Sequence, residues 1–180
     1  TRIFIFDKTS ICRLVENSQV FKGIYAEEVK KCDGPLNSQI RSLSFAKHRY
    51  DSTQKPLGRF VLWLDALVST AIKIAFTRSG SAEGKAAEYF LDNCTTENVL
   101  QLAMLADAGD EAMMVTRYFD TEKPDVSLIQ DLIADFLDKI HYLFVKDFVT
   151  STLFTYTKFA LNYLQRVRTH LQANYRSPTG

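Results

Sequence analysis

Residues 125–176 read DVSLIQDLIADFLDKIHYLFVKDFVTSTLFTYTKFALNYLQRVRTHLQANYR, and their periodicity decides the fold. An apolar stripe runs through Ile129, Ile133, Phe136, Ile140, Phe144 and Phe148 at the three-and-four spacing of an amphipathic helix. A second stripe follows at Leu153, Tyr156, Ala160, Leu164, Val167, Leu171 and Tyr175. One straight helix of this length would reach about 75 Å, well beyond the width of a domain of this size. Thr150, Ser151 and Thr152 lie between the stripes and compete for backbone hydrogen bonds. The expectation is therefore two long helices, bent or broken near residues 149–152, as the spine of the fold.

Working backwards, residues 60–76 (FVLWLDALVSTAIKIAF) are apolar almost all round, as in a helix buried on most sides. Arg59, Asp65 and Lys73 argue against a membrane span, because charges within a span are costly. Pro56-Leu57-Gly58 opens this helix. Thr95 is an expected N-cap for a helix to about Ala106, with Ala108-Gly109 as its stop and Asp110 capping a further short helix to Phe119. Ser127 and Gln130 have the spacing of a capping box for the first long helix. Shorter helices are expected near 10–15, 20–31 and 82–93. Residues 1–6 (TRIFIF) are strand-like.

The sum is an all-α helical bundle of about six to eight helices with two long C-terminal helices and at most one short N-terminal strand. At 180 residues it forms a single domain (1–180), with 36–58 an irregular basic loop region and 177–180 a frayed tail.

Composition excludes several function classes. The three cysteines, Cys12, Cys32 and Cys94, include no C-x-x-C pair, unlike a secreted disulfide framework, and an intracellular (cytoplasmic) or virion setting is expected. His48, His141 and His170 show no metal-ligand spacing, so neither metal nor cofactor is expected. No phosphate loop, dinucleotide fingerprint or nucleophile elbow is present. Arg2 to Phe6 followed by Asp7-Lys8-Thr9 resembles the nucleophilic-aspartate turn of haloacid-dehalogenase-type phosphotransferases. That fold needs several parallel strands, for which the rest of the chain offers no pattern. The expectation is that the protein is not an enzyme. Met104, Met113 and Met114, with Tyr118 and Phe119, suit a core or a partner groove, with core favoured.

Charge is segregated. Residues 107–138 hold nine acids against Arg117 and Lys123, whereas 148–180 hold no acid and four bases. Opposed patches of this kind let copies of a chain pair, and the leading expectation is a self-associating, non-catalytic helical assembly protein, a homo-oligomer. The alternative is a viral coat or nucleoprotein binding single-stranded RNA through Arg78, Lys158, Arg166, Arg168, Arg176, Arg41 and Arg49, with Phe45, Tyr50 and Tyr163 for stacking.

Residues 64–79 (LDALVSTAIKIAFTRS), followed downstream by 107–117 (DAGDEAMMVTR), resemble a stretch of the rod-shaped plant virus coat proteins. The resemblance implies a phosphate contact at Arg78, with Asp107, Asp110 and Arg117 near an RNA groove. The long basic C-terminal helix departs from that family's pattern.

Overall fold

The computed structural model describes residues 4, 5, 7, 9–32, 42–44, 54–145 and 154–175, with side chains to 168 in the last segment. Among these residues are eight helices: α1 (Ile11–Asn17), α2 (Gln19–Lys31), α3 (Gln54–Leu62), α4 (Leu64–Thr77), α5 (Ala82–Asn93), α6 (Thr96–Phe119), α7 (Val126–Phe144) and α8 (Thr155–Tyr175). No strand occurs among them; Phe4 and Ile5 lie buried in a wide helical turn. The expected break at 149–152 and most of the expected basic loop fall outside the described residues.

The apolar run that reads as one helix is two. α3 and α4 meet at Trp63 with a bend of 70°, while backbone bonds continue through it from Trp63 N–H to the Arg59 carbonyl and from Leu67 N–H to the Trp63 carbonyl, both 2.9 Å. The bend serves packing. α3 packs on α6 and α8, whereas α4 packs on α5 and α2, so the apolar run serves two layers that a straight rod could not. Trp63, at the corner, is buried. No single described helix is long and apolar enough to cross a membrane.

The layers share one core. Phe4 meets Phe60 of α3 and Phe90 of α5 edge-on, with centroids 5.6 and 5.9 Å apart, and Phe60 meets Phe90 at 6.3 Å. Such edge-to-face pairs add to the area they bury. The buried Ser10 hydroxyl donates to the Ile5 carbonyl at 3.0 Å, fixing the N-terminal segment over α1. Between α4 and α5 the chain reverses through Gly80, whose φ of +83° suits glycine. Gly84 then passes directly under the Arg78 carbonyl, where any Cβ would collide.

Local caps account for the boundaries. The Ser81 hydroxyl accepts from Gly84 N–H at 3.0 Å, and the Thr95 hydroxyl accepts from Asn98 N–H at 3.2 Å as expected. α7 differs from the capping-box expectation: its cap is Asp125, whose carboxylate accepts from the N–H and the hydroxyl of Ser127.

The expected stop at Ala108-Gly109 is absent, and α6 runs on for 24 residues. A mid-helix glycine costs only about 1 kcal/mol, and the acids that resemble local caps are used across the bundle instead. Asp107 is 5% exposed. It accepts from Tyr156 N–H at 3.0 Å, Thr157 N–H at 2.8 Å and the Thr157 hydroxyl at 2.6 Å, so it caps α8 from another helix. Asp110 is hydrogen-bonded to the Tyr156 side chain, and that ring lies so close over Gly58 that a Cβ there would stand 2.5 Å from its oxygen. Burial pushes the Asp107 carboxyl above the usual carboxylate range, against the pull of its three donors.

Asp107→Ala is expected to cost about 2–4 kcal/mol, combining a lost cap with buried N–H groups left without a partner. Asp131→Ala, on the solvent side of α7, should stay within about 0.5 kcal/mol. Urea unfolding of the two variants measures the difference.

Candidate functional site

α7 is the most strongly amphipathic of the long helices by sequence, and it is not part of the spine. Of its residues only Leu143 is buried, and none belongs to the main core cluster. It packs on α6, where Lys139 bridges Glu111 at 2.9 Å and its own Asp135 at 3.0 Å. This contact covers the Leu143 and Lys139 side and leaves much of the apolar face open.

Val126, Ile133, Leu137 and Phe144 are 75, 40, 58 and 47% exposed. Spaced by seven, four and seven residues, they fall within about 20° of one line along the helix. Adding Gln130 and the half-buried Ile140 gives alternating steps of four and three, the a/d repeat of a helix that packs along another helix. One flank of this seam is Ser127, Ala134 and His141, all exposed; the other is Ile129, Phe136 and Leu143, turned toward α6. Asp131, Asp135 and Asp138 point away from the seam. The seam is about 28 Å long and contains no charge.

α8 shows a similar mismatch over a shorter stretch. Of the expected stripe Ala160 is buried, Tyr156 and Leu164 are half-buried and Val167 is exposed, while Thr157 and Tyr163 take buried places beside it. The methionines also divide, with Met113 buried and Met114 and Phe119 exposed.

Of the cations singled out from the sequence, Arg78, Lys158, Arg166 and Arg168 lie among the described residues, on two helices. Arg78 caps the C-terminus of α4 and is exposed. It lies 13 residues, or about 20 Å, along α4 from Asp65, which lines a cleft with Arg166. Arg166 and Arg168 are both exposed, but two residues apart on one helix they face different sides. Lys158 lies about two turns before Arg166. Arg41, Arg49 and Arg176 lie outside the described residues. Arg59 donates to the Ser42 carbonyl at 2.9 Å, a structural tie. Asp107, implied near an RNA groove, is instead buried against α8.

Arg166 belongs to a different feature, which periodicity could not reveal. Between α2, α4 and α8 lies a cleft of about 390 Å³ with Glu28, Lys31, Leu62, Trp63, Asp65, Phe159 and Arg166 on its walls. Glu28 is buried and receives two ammonium groups, Lys73 at 2.5 Å and Lys31 at 2.9 Å. Lys73, followed by Lys31, holds the Glu28 carboxyl below its ordinary value of 4.5, outweighing the burial that opposes them. The Arg166 guanidinium stands 6.0 Å from the centroid of the Tyr163 ring, a cation–π contact. Neither a family model, nor a curated protein, nor a solved structure matches this chain.

A lowered carboxylate pKa stabilises the fold above the unfolded value and loses that contribution as pH falls through the folded value. Glu28→Gln should therefore destabilise the protein near neutral pH. The difference from wild type should shrink as pH falls from about 7 to about 4, below the ordinary value of 4.5, and continue to shrink as the folded carboxyl takes up its proton. Urea unfolding at the two pH values checks this.

Proposed function

We propose that this chain is a non-catalytic helical assembly module whose copies pair through α7. The observation that carries the proposal is the exposed, uncharged seam from Val126 to Phe144. A contiguous apolar stripe on the outside of a folded domain marks an interaction surface, and its four-three spacing suits a helix as the occupant.

A second copy fits for electrostatic reasons. Two α7 helices placed seam to seam about a two-fold axis bring together only Val, Gln, Ile, Leu and Phe. Small side chains and a histidine line the open flank, and the acids stay outside in water. No buried charge has to be neutralised, and no like charges oppose each other. The single-stranded RNA alternative gains no comparable support, because Arg78, Lys158, Arg166 and Arg168 are spread over several faces.

Size-exclusion chromatography with light scattering is expected to show a dimer or larger species. Leu137→Asp should shift it to monomer with an unchanged helical circular-dichroism spectrum, because the replaced side chain is exposed in the single subunit. Each substitution counts twice in a two-fold interface, so a loss of about 1.5 kcal/mol per copy weakens Kd by about a hundredfold or more. A wild-type protein that stays monomeric at high concentration overturns the proposal. Co-purifying nucleic acid, seen in the absorbance of the same peak, would restore the RNA alternative.

A further inference from the structure

The cleft between α2, α4 and α8 holds charges that the fold does not use. Glu28 is matched twice over, by Lys73 and Lys31, so this trio carries one positive charge in excess. Asp65 and Arg166 stand on the same walls, yet no ion pair joins them, and neither forms one with another described residue. Arg166 rests on the Tyr163 ring, which leaves its five donors directed at solvent or at a ligand. Leu62, Trp63 and Phe159 contribute the apolar part of a lining that is otherwise mostly polar. Convergent groups of opposite sign in a cleft suit a small polar ligand, and about 390 Å³ lies within the range of small-molecule sites.

We propose that this cleft binds a small zwitterion of the amino-acid type. Its carboxylate is held by Arg166 and Lys31, its ammonium by Asp65, and its apolar side chain by Leu62 and Phe159. The charge balance selects this class. A simple anion would leave Asp65 without a partner and beside a like charge. A simple cation would face Arg166 and the surplus lysine. A molecule with both charges joins the two groups that the fold leaves apart, and a planar guanidinium suits a carboxylate through paired donors. The site lies on other helices than the α7 seam and does not depend on it.

Trp63 is the single tryptophan and lines the cleft, so its fluorescence reports occupancy without a label. The test titrates the full chain with leucine, and separately with isocaproate and isoamylamine, which each keep one of leucine's two charges. Leucine is expected to give a saturable change, with each half-ligand weaker by about tenfold or more, the effect of losing one charged hydrogen bond. Arg166→Ala and Asp65→Asn should each weaken leucine to the same extent while circular dichroism melting stays at the wild-type value. Calorimetry with leucine reads binding independently of Trp63. Absence of a saturable response to leucine in both measurements overturns the proposal. So does a half-ligand that binds as well as leucine, or wild-type affinity in either variant.

Discussion

The carboxylate of Asp107 is the point on which the C-terminal half of the molecule depends. The first turn of a helix leaves four N–H groups without intrahelical partners, and burying them unmet is costly. α8 begins against the core, with Phe154 and Thr157 buried, and Asp107 supplies the acceptors from 50 residues earlier in the chain. Its neighbours share the work. Asp110 meets the Tyr156 side chain and Glu111 meets Lys139, so one turn of α6 ties down both α8 and α7. This sharing requires α6 to be unbroken here, because a stop at Gly109 would put the three acids out of phase. The intrinsic cost of a helical glycine, about 1 kcal/mol, is smaller than the contacts that the continuous helix secures.

The same arrangement explains why α7 is left open. Its attachment to α6 uses the side that carries Lys139 and Leu143, and its apolar face is wider than that contact. In a helix of the interior the surplus would be covered by a third element. Here α6 is the main described neighbour of α7, and Val126, Ile133, Leu137 and Phe144 remain exposed. Meanwhile α4 and α6 lie among several partners and form the true centre of the bundle.

The all-helical class and the extents of α2 and α5 were legible because periodicity and caps are local properties. Thr95 acts as a cap through Asn98, three positions away, a distance that sequence spacing resolves. What misled were residues whose partners are remote. Asp110 resembles a cap and Gly109 a stop, yet both serve a helix that continues. The run from Phe60 to Phe76 has no proline and no internal glycine to mark the bend at Trp63, because the bend answers to which helices lie on either side. Periodicity showed that α7 has an apolar face and was silent about what covers it. The cleft around Arg166 brings together residues from three distant segments, and no spacing rule connects Glu28, Asp65 and Arg166.

The placement of Phe4 has a consequence for how the chain comes together during synthesis. Its ring closes on Phe60 and Phe90, all within the first half of the sequence, so that aromatic cluster can assemble while α6, α7 and α8 are still to be made. Asp107 emerges next and remains hydrated until the amides of Tyr156 and Thr157 arrive some fifty residues later. Docking of α8 then requires the dehydration of that carboxylate, and until α6 and α8 arrive the side of α3 that packs on them stays open.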